Sequence, residues 1–211
     1  MEKFIIAVEG LTGATKTTTI YNMLVPFFKQ KGYSVMVVDE PVNLWTDILS
    51  LFYNAPALYG YQFQTTVLCD RLINTINMFK EYPDTHIFIL DRSIFTDKVF
   101  MQTLYEQGKQ TELEWKNYQK LWSLLKQLMP FEINLILYLD LPIDDTFERI
   151  KMRKREGEEH INKDYLCLLK KNHDLIIHNS QLHVLTVDNH EQLCYKIYNY
   201  LNNIIINKNV I

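Results

Sequence analysis

The sequence predicts an α/β fold, a parallel five-stranded sheet with helices on both faces, from three observations. Short apolar runs recur along the chain, long helical patterns separate them, and a turn containing glycines and Lys-Thr follows the first run. In order, the strands are read at residues 4–8, 33–38, 86–90 and 134–139, with a weaker one at 182–187. Their continuous apolar character, rather than alternation, is what burial on both faces of a parallel sheet requires. The helical patterns cover 16–31, 58–82, 95–107, 111–128, 144–156, 164–179 and 191–206. Gly32, Gly108 and Pro130 punctuate three of these segments, as helix stops do.

At 211 residues the chain is read as one domain, residues 1–211. With 47% hydrophobic residues, 22% charged residues, six glycines and six prolines, it can bury a sizeable core and is not of low complexity. The formal charge of −3 lacks the basic excess of a phosphate-neutralising polymer binder, so a polynucleotide partner is disfavoured. Cys69, Cys167 and Cys194 are odd in number and have no paired spacing, and read as reduced core thiols rather than disulfides or zinc ligands. After Glu2 and Lys3 the apolar run at 4–8 is too short for a signal segment or a membrane span, and a cytoplasmic location without membrane contact is expected.

Leu121, Leu124, Leu125 and Leu128, with Trp115 and Trp122, follow helical spacing and are read as core or subunit contact. His160, His173, His178, His183 and His190 show no i, i+4 pairing that would suggest a metal site.

Immediately after the first strand, Gly10-Leu11-Thr12-Gly13-Ala14-Thr15-Lys16-Thr17-Thr18 leads into a helix, the context of a P-loop. In such a loop, backbone N–H groups converge on phosphate oxygens, the Lys adds a mobile charge and the next hydroxyl reaches Mg²⁺. Gly10, Lys16 and Thr17 hold the required offsets, whereas Thr15 replaces the usual second glycine and its Cβ is expected to crowd the phosphates. Gly13 returns some of that freedom. The fold expectation is therefore a P-loop NTPase-type sheet.

Between Arg149 and Arg155 lie five cations in seven residues. Such a run is commonly a solvated face, but opposite a P-loop Arg153 and Arg155 become candidates for an arginine-rich lid, at about 149–163, that stabilises transferring phosphoryl charge.

Strand two runs into Asp39-Glu40-Pro41 and strand three into Asp91-Arg92-Ser93, so both deliver acids to the sheet edge from which the P-loop opens. One carboxylate there can accept a hydroxyl proton and another can hold Mg²⁺, although a lone strand-end acid is as often a cap or turn former. On the helix at 58–82, Gln64, Val67 and Arg71 share a face at i, i+3 and i+7. A base-reading amide, with the Arg fixed by an acid such as Asp97, would satisfy polar groups that are otherwise costly to bury.

Together these residues resemble the deoxynucleoside kinase family. The resemblance runs from the P-loop through Glu40-Pro41-Val42 with Trp45, Tyr53, Phe63-Gln64-Thr65 and Asp91-Arg92-Ser93 to Arg149, Arg153, Arg155, Glu158 and Tyr165-Leu166. It implies that Glu40 is the general base for a nucleoside 5′-hydroxyl and that Arg92 holds that hydroxyl. Lys16, Arg153 and Arg155 would attend the transfer. Gly10, Gly13, Thr15, Lys16, Thr17, Thr18, Arg149 and Arg153 would hold ATP, with Thr17 and Asp91 at Mg²⁺.

By the same resemblance Tyr53 and Glu158 bind the 3′-hydroxyl, Gln64 reads the base, and Trp45, Phe63 and Met101 wall the base pocket beside Val67. Asp91 stands where the family usually has Glu, and Gly157-Glu158 replaces the usual Glu-Glu. The Arg71 and Asp97 pair is similar to the deoxycytidine and deoxyguanosine kinase branch, which implies deoxycytidine or a purine deoxynucleoside over thymidine, and a homodimer. A nucleoside monophosphate kinase of the thymidylate kinase type and an impaired nucleoside-binding homologue are the competing readings. Glu40 argues against the first, because it would repel a phosphorylated acceptor.

Overall fold

The computed structural model describes residues 3–154, 158, 161–188 and 193–208. Its five strands are all parallel: β1 (Phe4–Gly10), β2 (Val35–Val38), β3 (Ile87–Asp91), β4 (Leu135–Leu139) and β5 (Val184–Val187), in the order β2-β3-β1-β4-β5. The three central strands are buried along their whole length, as their continuous apolar runs predict, and the two edge strands only partly so. β1 extends two residues beyond its apolar run, to Gly10. Val8 pairs with Asp91 on one side and with Leu137 on the other. The strand order reverses about β1, so the carboxyl ends of β1 and β3 flank the crevice where open α/β sheets bind ligands.

The helix expected over 16–31 is three pieces: α1 (Lys16–Thr19), a π-helical stretch (Ile20–Leu24) and α2 (Val25–Gln30). Pro26 explains the break, since it has no N–H for the carbonyl of Asn22 and its ring crowds that turn. The widened turn brings Tyr21 to Asp39, to which its hydroxyl donates at 2.6 Å.

A 3₁₀ turn (Val42–Trp45) and α3 (Thr46–Asn54) precede α4 (Pro56–Glu81), and sequence periodicity did not reveal either. No residue of α3 is fully buried. Its apolar face, Ile48, Leu49 and Phe52, packs on a small separate cluster of Trp45, Phe63 and Val67 rather than on the main core. α5 (Ile94–Glu106), α6 (Glu112–Leu128), α7 (Ile143–Arg153), α8 (Lys163–His178) and α9 (Leu193–Lys208) complete the chain order. α6 opens on a capping box of Thr111 and Glu114, and Lys154, at φ 46°, closes α7.

The leucine stripe of α6 divides. Trp122 is buried, while Leu121, Leu125 and Trp115 pack against the core. Leu124 and Leu128 are 52% and 66% exposed, and Leu113 joins them on the surface. The core-thiol expectation is corrected: Cys69 is half-buried and Cys167 is exposed, because each lies off the core-facing stripe of its helix, and the Cys194 side chain lies outside the described residues. No described helix is long and apolar enough to cross a membrane.

His173 on α8 is fully buried, stacked on Tyr138 of β4 with ring centroids 6.0 Å apart. Its Nδ1–H donates to the Leu169 carbonyl at 3.0 Å, and Nε2 has no partner among the described residues. Burial, helped by Arg92, pushes its pKa down to about 3. The unfolded chain, with an ordinary histidine pKa near 6.5, therefore takes up the proton first on acidification. Stability contributed by the neutral ring is present above about pH 6.5 and is lost as the pH falls toward 3, by at most about 1.4 kcal/mol per pH unit. Urea denaturation at pH 7, 6 and 5 should show that slope, and His173→Met should flatten it. An equally steep slope in the variant would assign the acid sensitivity to other groups.

Candidate active site

Gly10, at φ +145°, ends β1 so close to β4 that an added Cβ would lie 2.7 Å from the Leu139 carbonyl oxygen. Gly13, at φ +85°, is pressed against α7, where a Cβ would meet the Thr146 carbonyl at 2.8 Å. Both glycines are therefore required by close approach as well as by dihedral. Lys16 is buried, and its ammonium donates to the carbonyls of Leu11 at 2.8 Å and Gly10 at 3.3 Å. Burial and then the nearby Arg92 bring its pKa down to about 7. Thr17 donates to Asp91 Oδ2 at 3.0 Å, and Thr18 is exposed and does not line the cleft.

Thr15 stands in the left-handed region at φ 58° and ψ 22°. It is not among the residues lining the cleft, and its hydroxyl is buried without a partner, so the substitution costs local backbone strain rather than crowding the phosphate cradle. Thr15→Gly is expected to hold or modestly raise the melting temperature and to leave KM for ATP within about twofold. A tenfold fall in KM would restore the crowding explanation.

The acids of β2 and β3 meet the face of α4. Gln64, Val67 and Arg71 are all buried there. Arg71 Nε donates to both oxygens of Asp97 at 3.0 Å, its Nη1 to the Asp91 carbonyl at 3.3 Å and its Nη2 to Glu40 at 2.8 Å. The Asp97 partnership follows the sequence expectation, whereas the tie to Glu40 went unseen because the two residues are 31 positions apart. Arg92, at φ 72°, donates to the Gly10 carbonyl at 3.1 Å, and its Nε lies 3.8 Å from Glu40. Burial pushes the Glu40 carboxyl up, but the guanidinium groups of Arg71 and Arg92 outweigh this and hold it below its ordinary value.

These groups share one cavity of about 490 Å³ with the P-loop residues Thr12, Gly13, Lys16 and Thr17. Its far wall is aromatic. Phe52 stacks on Phe63 with centroids 4.6 Å apart, Trp45 stands edge-on to Phe63, and Phe100 carries the Arg92 guanidinium over its ring at 5.3 Å. Met101 is not in this wall. It is fully buried in the core, because one residue along α5 turns a side chain by about 100° and brings Phe100 to the cavity instead. Sequence reasoning also missed Phe52, Leu49 and Leu104; only the aromatic run Phe52-Tyr53 signalled any of them.

Gln64, a buried residue, lines the cavity, and Tyr53 lines the same space. From the stretch that runs from the end of α7 into α8, Arg153, Glu158, Ile161 and Tyr165 reach the cavity. Arg153 Nε donates to Glu158 Oε2 at 2.8 Å. Arg149 does not line it, and its Nη1 is buried without a partner. Arg155 lies outside the described residues.

A hard cation fits the pair at the end of β3. Asp91 Oδ1 is buried with no partner, and the Thr17 hydroxyl lies against the other oxygen.

A parallel sheet whose phosphate loop opens into a cleft of acids, guanidinium groups and aromatic rings defines a P-loop phosphotransferase. A family model described as Deoxynucleoside kinase matches residues 6–207, and the chain belongs to the deoxynucleoside kinase family, a family of ATP-dependent phosphotransferases. It is 29% identical over 185 residues to a probable deoxycytidine kinase of Fowlpox virus (strain NVSL), covering 86% of this chain and 75% of the relative. With the deoxyadenosine kinase of Dictyostelium discoideum it shares 32% over 161 residues, 76% of this chain and 61% of that one. The human mitochondrial thymidine kinase 2 is 26% identical over 179 residues, 82% of this chain and 64% of the relative. The solved structure of a deoxyadenosine kinase from M. mycoides, with dCMP and dCDP bound, has a similar fold: TM-score 0.76 at 22% identity over 95% of this chain and 100% of that one.

Proposed function

We propose that this kinase transfers the γ-phosphoryl group of ATP to the 5′-hydroxyl of deoxycytidine or a purine deoxynucleoside in preference to thymidine, within nucleotide salvage. The observation that carries the reading is the buried residue Gln64 lining the cavity together with the Arg71 and Asp97 pair, in an aromatic slot continuous with the P-loop. An amide presents one donor and one acceptor to a base edge, and the ion pair is held rigid by the cross-tie to Glu40. The rings of Trp45, Phe63 and Phe100, with Val67, enclose a planar base at little entropic cost.

Glu40, kept ionised by its two arginines, takes the proton of the 5′-hydroxyl, and Arg92 orients that oxygen. Tyr53 and Glu158 engage the 3′-hydroxyl. Gly10, Gly13, Lys16 and Thr17 cradle the donor phosphates, while Arg153, with Arg155, answers the charge that spreads over the transferring group. Thr17 and Asp91 would hold Mg²⁺, which when bound neutralises phosphate charge. The exposed Leu113, Leu124 and Leu128 of α6 supply an apolar face for a homodimer, and the reduced cysteines suit a cytoplasmic enzyme acting as a single domain.

The test is the acceptor. With γ-labelled ATP and Mg²⁺, label should pass to deoxycytidine or a purine deoxynucleoside and appear as the 5′-monophosphate. Label passing only to deoxynucleoside monophosphates would overturn the reading.

A further inference from the structure

We propose that Glu9 is a positioning residue for phosphoryl transfer, its buried carboxyl clasping the turn after β3 to the strand that leads into the P-loop. Glu9 lies next to Gly10, is fully buried, and is the single charged side chain in a strand whose other residues are Phe, Ile, Ala, Val and Gly. A carboxyl there is costly without partners.

Its partners are on the opposite segment. Main-chain pairing of β1 with β3 ends at Val8 and Asp91, the Arg92 N–H making a last bond to the Val8 carbonyl at 3.1 Å. Beyond that point the chain turns away at φ 72°, and side chains take over from the ladder. Ser93 Oγ donates to Glu9 Oε1 at 2.5 Å, the Thr96 hydroxyl donates to Glu9 Oε2, and Arg92 Nη1 bonds the Gly10 carbonyl.

Ser93 also caps α5, accepting the Phe95 N–H. The cap is therefore complete without Glu9, and the two further hydroxyl bonds serve to fix α5 against β1. That relation sets where Arg92 and Asp91 stand relative to Lys16 and Thr17, and where Asp97 and Phe100 enter the cavity. Misplacement of about 1 Å at such a centre costs about 10²-fold in rate.

The inference rests on Arg92 and Asp91 acting at the transfer centre, and the experiment separates the two. Steady-state rates and deoxynucleoside Kd are measured for Glu9→Met, Glu9→Gln, Thr96→Val, the pair Glu9→Met with Thr96→Val, and Arg92→Ala, each checked by thermal melt. Glu9→Met and Thr96→Val should each lower kcat about 10- to 100-fold with Kd within about threefold. Glu9→Gln, which keeps the shape and one acceptor, should restore most of the rate. The double variant should lose little more than Glu9→Met, as parts of one unit do.

A folded Glu9→Met or Thr96→Val with kcat within twofold of wild type, or losses that multiply in the pair, overturns the clasp. If Glu9→Met does not fold, the isosteric Thr96→Val decides alone by the same criterion. Arg92→Ala at the wild-type rate would instead remove the assignment of the centre, and the inference with it.

Discussion

Glu40→Gln is expected to lower kcat by roughly 10² to 10⁴ while deoxynucleoside binding changes only a few-fold. The amide keeps the size of the carboxylate and still offers an oxygen to Arg71 Nη2, so the polar framework around Arg71, Asp97 and Arg92 survives. On the proposed role, what it loses is the proton acceptor in the cavity that the P-loop also lines. Steady-state kinetics set against calorimetric binding would separate these contributions, and a variant turning over near the wild-type rate would remove Glu40 from the mechanism. Because two guanidinium groups hold this carboxyl below its ordinary value, the acid limb of the pH–rate profile is expected below the ordinary glutamate value.

Arg71→Met combined with Asp97→Ala is expected to raise kcat/KM for thymidine relative to deoxycytidine and deoxyguanosine by about 10- to 200-fold. The pair lines the same cavity as Gln64, and on the proposed reading its removal would open space for a base methyl and delete donors and acceptors that thymine cannot match. Because Arg71 also supports Glu40, the double variant should turn over more slowly on every base, so the ratio is the informative quantity. Arg71→Met alone leaves the fully buried Asp97 unpaired and should cost about 3 to 5 kcal/mol of stability. A double variant whose ratio stays at the wild-type value would show that these residues do not select the base.

Much of the fold was legible because burial on both faces writes itself as an apolar run: β1, β3 and β4 were each found within two residues of their observed ends. The run that ended at Val8 left Glu9 outside the strand, so the one buried carboxylate of β1 went unread. Pro26 was visible, but apolar periodicity continues through a π turn and conceals the break. α3 was missed because it serves a satellite cluster and buries no residue completely.

In the site, residues that signal by type at a strand end or on a helix face, Glu40, Asp91, Arg92, Gln64 and Arg71, do converge on the cavity. Phe100 rather than Met101 faces the cavity, because a single position on a helix redirects a side chain from cavity to core, a difference the linear sequence does not mark. The tie from Arg71 to Glu40 depends on how α4 lies over the end of β2, a tertiary relation that no local pattern carries.

Competition among acceptors tests the proposed acceptor preference most directly. An equimolar mixture of the four deoxynucleosides, with limiting enzyme, ATP and Mg²⁺, is sampled at low conversion and the 5′-monophosphates are quantified by mass spectrometry. Deoxycytidine or a purine deoxynucleoside monophosphate should dominate, with thymidine monophosphate a minor product. Dominant thymidine monophosphate, or no monophosphate from any of the four, would contradict it.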